Sequence, residues 1–246
     1  MASRETLKSY TQSYLQADSF EDYCPNGLQI EGKAEVNKII SGVSANLALI
    51  ERAIDEKADA IFVHHGLFWK NDPQIITGAK RRKIALLLEH NINLFAYHLP
   101  LDAHPKVGNN AQLGELLGIS NREPVANSLL WTGKIDVSAT EFGHVIESAL
   151  QRAPLIIGNK SERIKSIAWC TGAAQGFIDQ AVELEVDAYL TGEISEQTPA
   201  VALENDLLFI SAGHHATERH GVQALCHHLS AKFDCQHQYI EIDNCV

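Results

Sequence analysis

The sequence predicts an α/β protein of two similar lobes, each a mainly parallel sheet flanked by helices. Three observations predict it. Short apolar runs alternate with segments of helical periodicity, an order that favours parallel strands joined by right-handed crossovers. The alternation occurs once in each half of the 246 residues. Histidines and carboxylates gather just past the ends of the apolar runs, where open α/β sheets carry their functional loops.

In the first half, residues 36–43 read as a strand and 46–57 as a helix, because Leu47, Ile50 and Ile54 repeat along one face and Asn46 suits an N-cap. Ala60-Ile61-Phe62-Val63 is a fully apolar run ending in His64-His65-Gly66, the pattern of a strand buried on both faces as it reaches the surface. A helix over 80–90 follows through Ile84, Leu87 and Leu88, then a buried strand over 93–97 and a helix over 109–117 stopped by Gly118. The second half repeats the alternation, with strands over 164–171, 188–190, 207–211 and 238–242 and helices over 177–186, 199–205 and 217–232. A strand near 129–135 and a helix near 141–151 fall in a junction spanning about residues 118–163, so the lobes are expected at 1–127 and 128–246. A gapless shift of 128 lays Ile50 on Ile178, Asp59-Ala60 on Asp187-Ala188 and His65 on Glu193. Much of that agreement is what any βαβ unit shows, so duplication and coincidence both stand at this point.

Composition excludes several function classes. A net charge of −11 opposes nonspecific binding to nucleic acid or anionic lipid, and Lys80-Arg81-Arg82-Lys83, the one basic cluster, reads as an exposed helical turn. Five cysteines without a CxxC pair support neither a disulfide framework nor a thiolate zinc knot. No apolar run spans a bilayer and the N-terminus lacks a signal-peptide core, so a cytoplasmic location is expected, with no membrane partner.

Twelve histidines are the unusual count. They fall largely at His64-His65, at His98 and His104 around Asp102, and at His214-His215 with His220, followed by His227-His228. His214 and Glu218 are four residues apart at the start of a helix and project side by side. With His64, His65 and Asp102 they make five candidate donors from three loops. That number exceeds what one tetrahedral ion needs and suits two ions sharing a carboxylate. Nitrogen and oxygen donors fit zinc, manganese, iron or nickel, and such a pair could activate a water as nucleophile. His90, His144, His220, His227, His228 and His237 read as ordinary surface residues.

Five strings occur in order along nearly the whole chain: Pro25-Asn26-Gly27-Leu28-Gln29; Val63-His64-His65-Gly66-Leu67-Phe68-Trp69; Tyr97-His98-Leu99-Pro100-Leu101-Asp102-Ala103-His104-Pro105 with Gly108-Asn109-Asn110; Asp187-Ala188-Tyr189-Leu190-Thr191-Gly192-Glu193; and Gly213-His214-His215-Ala216-Thr217-Glu218. Together they resemble the GTP cyclohydrolase 1 type 2 homologue family, also called NGG-interacting-factor-three-like proteins, in its short form. The resemblance implies a dinuclear metal centre in the cleft between the lobes, with two divalent ions held by His64, His65, Asp102, His214 and Glu218, and a ring-shaped homohexamer. One position departs: His215 stands where relatives often carry Tyr, which raises a role for it beside the ligands. The expected activity is metal-dependent hydrolysis of a small nucleotide-like heterocycle or phosphoester. His98 or Glu193 would shuttle protons, and Lys70 and Arg219 would be cations for an anionic substrate. The bland readings are a helix cap for Glu193 and a partner orienting Asp102 for His98. A non-catalytic metal carrier or scaffold is the alternative. Trp69, after Leu67-Phe68, belongs either to a local core or lid or to an inter-subunit patch.

Overall fold

The computed structural model describes residues 2–158 and 163–246; residues 159–162 of the expected junction lie outside the described residues. The chain divides into two compact units, Met1–Gly108 with Gly221–Asp243, and Asn109–His220 with Asn244–Val246. The division falls before the expected 127/128 boundary because strand Ser120–Pro124 pairs with Trp131–Ser138 in the second unit's sheet. The chain's last strand, Gln236–Tyr239, returns to the first unit beside Lys38–Ser44. Among the described residues no helix is long and apolar enough to cross a membrane, and none of the five cysteines is in a disulfide.

The first unit's sheet runs in the order Gln236–Tyr239, Lys38–Ser44, Ala60–His65, Asn93–Ala96, Gly27–Ile30. Its neighbours are parallel except the last pair. Alternate residues of the central strands enter different clusters. Ile39, Phe62 and Phe95 pack on one face, and Ile40, Ile61, Val63 and Leu94 on the other. Burial on both faces is why the run at 60–63 carries no polar residue. Asn46 caps helix Leu47–Asp55 by accepting the Leu49 N–H at 2.8 Å. In helix Gly78–Glu89 the buried face is Ile84 and Leu87, while Leu88 is exposed. A further helix, Arg4–Tyr14, starts at a Ser3 cap and buries Leu7 and Thr11.

The second unit's sheet runs Ser120–Pro124, Trp131–Ser138, Arg163–Trp169, Ala188–Thr191, Leu208–Ser211, Leu155–Ile157. Only the Arg163, Ala188 and Leu208 strands are mutually parallel. The others join antiparallel, so this sheet is mixed where a mainly parallel one was expected. Helix Ala139–Leu150 follows Trp131–Ser138 as it would in a parallel unit, yet the next long strand, Arg163–Trp169, pairs with it antiparallel.

The two units share a topology. In each, three parallel strands are linked by helices, and an earlier strand lies antiparallel to the third: Gly27–Ile30 beside Asn93–Ala96, and Leu155–Ile157 beside Leu208–Ser211. They also share an anchor. Asp59 Oδ2 accepts the N–H groups of Asn37 and Lys38 at 2.8 and 3.0 Å, and Lys33 Nζ reaches its Oδ1 at 2.5 Å. Asp187 Oδ2 accepts the N–H groups of Lys165 and Ser166 at 2.8 and 2.7 Å and the Ser166 hydroxyl at 2.9 Å. Each aspartate precedes the middle parallel strand and clasps the start of the one before it. The shift of 128 thus aligns a hydrogen-bond device as well as residue types.

Asp59 is buried and Asp187 exposed. Asp59→Ala removes a buried carboxylate that ties Lys33, Asn37 and Lys38 together, and is expected to cost about 1–3 kcal/mol in urea unfolding. Asp187→Ala, at an exposed carboxylate, is expected to cost less than half of that.

Candidate functional site

In the first unit, His64 and His65 are the last residues of strand Ala60–His65. His64 is fully buried, and its Nδ1–H donates to the Tyr97 carbonyl at 3.0 Å. That bond makes Nε2 the lone-pair nitrogen, and it lies 3.5 Å from Asp102 Oδ1. His65 Nδ1 shares a 3.0 Å hydrogen bond with Ser44 Oγ. Asp102 sits inside the short helix Leu99–Ala103, with Pro100 in its first turn, and its N–H donates to the His98 carbonyl at 3.2 Å. The ligand-capable atoms of His64, His65 and His98 lie within 4.8 Å of one another.

His98 does not orient Asp102 through its ring. Its Nδ1–H donates to Asp22 Oδ1 at 2.7 Å, a carboxylate that sequence reasoning missed. Asp22 is almost wholly enclosed, its side chain 2% exposed. Its Oδ1 also accepts the Tyr23 N–H, and its Oδ2 accepts Asn26 Nδ2 at 2.8 Å and the Leu99 N–H at 2.9 Å. Burial alone would raise the carboxyl. The hydrogen bonds from His98 and Asn26, the charge of His98 and the Leu99 N–H outweigh it and hold the group down at about 2. Asn26, from the Pro25-to-Gln29 string, completes the arrangement by accepting the His98 N–H on Oδ1 at 2.7 Å. The one available signal for Asp22 was its place four residues before Asn26.

In the second unit, helix His214–Phe233 begins three residues earlier than expected, at His214. His214 Nε2 lies 3.2 Å from Glu218 Oε2, as the four-residue spacing requires. Its Nδ1–H donates to Glu193 Oε1 at 2.6 Å. Glu193 is therefore the partner that orients His214 and not a helix cap. Burial lowers the His214 imidazole, but Glu218 and Glu193 outweigh it and raise the group to about 9. An imidazole between two carboxylates marks a place of negative potential, favourable to a cation.

Gly172 faces this pair. Its φ is +72°, and a Cβ there would stand 2.1 Å from Glu218 Oε1 and 3.5 Å from His214 Nε2. Its N–H donates to Thr217 Oγ1 at 3.0 Å, and its carbonyl accepts the Gly192 N–H at 2.9 Å. His215 is buried and its N–H donates to the Val246 carbonyl at 3.0 Å. Arg219, expected to face an anionic substrate, donates from Nη2 to the Leu150 carbonyl, closing the end of helix Ala139–Leu150. Lys70 is exposed. Two histidines read as surface residues are integrated elsewhere: His228 stacks on Tyr14 and bonds Tyr10, and His237 bonds Ser41.

The donor chemistry fits divalent first-row ions. His64, His65, His98 and His214 each have Nδ1 engaged, by Tyr97, Ser44, Asp22 and Glu193 respectively. A metal-ligating histidine characteristically commits its second nitrogen to a carbonyl or carboxylate, which fixes the tautomer and the ring. Carboxylates stand beside the Nε2 atoms of His64 and His214, and no thiolate is needed. The glycine opposite Glu218 leaves the space a side chain would fill.

Comparisons with known proteins cover almost the whole chain. The family model described as Duf34/NIF3 (NGG1p interacting factor 3) matches residues 2–245. A protein of Allochromatium vinosum named GTP cyclohydrolase 1 type 2 homolog is 49% identical over 242 residues, 97% of this chain and 95% of the relative. One of the same name from Pseudomonas aeruginosa is 47% identical over 245 residues, 97% of each. Among solved structures, protein ybgI, described as of unknown function, has a TM-score of 0.96 at 44% identity and covers 100% of both chains. TTHA1606 from Thermus thermophilus has a TM-score of 0.93 at 31% identity, again over 100% of both.

Proposed function

The chain belongs to the Duf34/NIF3 family, and on that premise we propose that it is a metal-dependent hydrolase of a small nucleotide-like heterocycle or phosphoester, working as a homohexamer with two divalent ions per chain. His64, His65 and Asp102 are the donors its first unit supplies. His214 and Glu218 are those of the second. The observation that carries this reading is the set of Nδ1–H bonds from His64, His98 and His214 to a carbonyl or a carboxylate, because each one fixes its ring and turns Nε2 in a set direction. Bound first-row ions lower the pKa of water far enough to make hydroxide available near neutral pH.

The chain's own groups supply the rest. Glu193 holds the His214 ring and keeps its proton on Nδ1. Asp22 does the same for His98, so His98 Nε2 is the nitrogen able to take or give a proton at the substrate. The names of the relatives point to GTP as the first substrate to try.

The test is turnover by purified protein loaded with manganese, iron, zinc or nickel. Formate release from GTP, or hydrolysis within a phosphoester panel, is the expected result. His98→Gln, which keeps a polar side chain but cannot carry a proton, is expected to lower the rate about 10²–10⁴-fold with the metal content unchanged. Two ions retained per chain with no turnover on any of these substrates would reject the hydrolase and leave a metal carrier. Light scattering should give six times the chain mass of 27.1 kDa.

A further inference from the structure

The Pro25-to-Gln29 string has a use that the metal donors do not exhaust. A groove of about 480 Å³ lies in the first unit between two segments, Asp22 to Pro25 on one side and Phe68 to Lys70 on the other, with Gln74 and Lys80 at its edge. Its walls are braced. The Lys70 N–H donates to the Tyr23 carbonyl at 2.7 Å. Gln29 spans the gap, accepting the Leu67 N–H on Oε1 at 2.8 Å and donating from Nε2 to the Pro25 carbonyl at 2.9 Å. A Cβ on Gly66 would strike the Gln29 amide at 2.3 Å, so the glycine in His65-Gly66-Leu67 is what lets this brace pass.

The groove presents two rings and two cations. Trp69 stands edge-on to His98 with centroids 5.2 Å apart and lies 5.9 Å from His65. Tyr23 is 63% exposed, with its ring 6.4 Å from that of His98. Lys80 lies 5.0 Å over the Phe68 ring and 3.8 Å from Asp72. Lys70 projects from the wall, its side chain exposed. A metal ion at Asp22, Cys24 and His98 is a poorer occupant, since both Asp22 oxygens already accept from four donors. Aromatic faces with adjoining ammonium groups match a flat ring carrying a negative charge, and the volume is in the range of small-molecule pockets.

We propose that this groove is the substrate subsite for the base of a purine nucleotide, with Trp69 as its stacking face and Lys70 as the cation for its phosphate. The assignment rests on the hydrolase reading for its consequence, but not for its test, because binding in the groove needs neither metal nor turnover. It puts the heterocycle on Trp69, whose ring centroid lies 5.2 Å from that of His98, the proposed proton carrier. It also gives Trp69 a role other than local core or subunit patch.

The experiment is a fluorescence titration of the whole protein, stripped of metal by chelator, with GMP, guanosine and inorganic phosphate as probes. Trp131 and Trp169 are 5% and 0% exposed, so quenching reports chiefly on Trp69. GMP is expected to quench saturably, guanosine to bind about ten-fold more weakly, and phosphate alone to leave the emission unchanged. Calorimetry on Trp69→Leu should show GMP affinity reduced about ten-fold or more, and Lys70→Gln should weaken GMP but not guanosine. Tyr23→Ala, on an exposed ring, is the second variant should Trp69→Leu melt early. Absence of GMP binding, or equal GMP affinity in wild type, Trp69→Leu and Tyr23→Ala, overturns the subsite. Binding as described without turnover removes the hydrolase and keeps the groove. Turnover with KM unchanged in Trp69→Leu removes the groove and keeps the hydrolase.

Discussion

Gly172→Ala is expected to abolish retention of the metal proposed at His214 and Glu218 and to destabilise the protein by about 2–4 kcal/mol. Two independent costs converge on this one methyl group. The backbone is left-handed, with φ at +72°, where an L side chain is disfavoured by about 1–2 kcal/mol. The added carbon would also meet Glu218 Oε1 at 2.1 Å. Relief requires one of the two to move. Glu218 is buried and held on a long helix, while Gly172 is tied to Thr217 and to Gly192 on opposite sides. A shift of Glu218 breaks the 3.2 Å relation between His214 Nε2 and Glu218 Oε2 directly, and a shift of Gly172 pulls on Thr217, the residue before Glu218. Metal content after dialysis, read by mass spectrometry, and urea unfolding check the two halves of the prediction. Full metal retention with unchanged stability would show that this glycine is not what shapes the pair.

Asp22→Ala is expected to be the most destabilising single change in the first unit, at about 3–5 kcal/mol. The substitution removes the acceptor of four donors from the Tyr23 N–H, Asn26, Leu99 and His98, in a place with almost no access to water. Asp22→Asn keeps the shape but replaces one acceptor oxygen by a donor facing donors, and about half the loss is expected to remain. The pH dependence follows from the direction of the shift. The carboxyl is held at about 2 against an ordinary 3.8, so its stabilisation is fully present above the ordinary value and is lost as pH falls through 2. Wild type and Asp22→Ala should therefore converge in stability below that pH. Parallel stability curves from pH 6 down to 2 would contradict the assignment.

How legible these features were depends on range along the chain. The strand ending at His65 and the Asn46 cap follow from residues adjacent in sequence, so periodicity and capping chemistry sufficed. The Glu218 partner of His214 lies one helical turn away and was equally readable. Asp22 and His98 are 76 residues apart, and Glu193 and His214 are 21 apart; nothing local couples them. The edge strand Ser120–Pro124 is exposed along its whole length, so it shows no alternation to detect. Helix Arg4–Tyr14 buries only Leu7 and Thr11, too sparse a stripe to stand out. The mixed character of the second sheet escapes a pattern reading because helix Ala139–Leu150 between strands Trp131–Ser138 and Arg163–Trp169 gives the element order of a parallel unit, while the two strands pair antiparallel. Gly172 lay outside every recognised string, and its use appears only through the Glu218 carboxylate it faces.

The paired aspartates at 59 and 187 carry a consequence for how the protein fails in acid. Burial raises both carboxyls, but the N–H groups they clasp, with Lys33 for Asp59 and Ser166 for Asp187, outweigh it and hold both below the ordinary range. Both anchors are thus intact at neutral pH and both are undone by the same chemical event, protonation, as pH falls below about 4. A fold that repeats one solution also repeats its weakness. The two sheets lose their clasps over a common acid range, the buried one at greater cost.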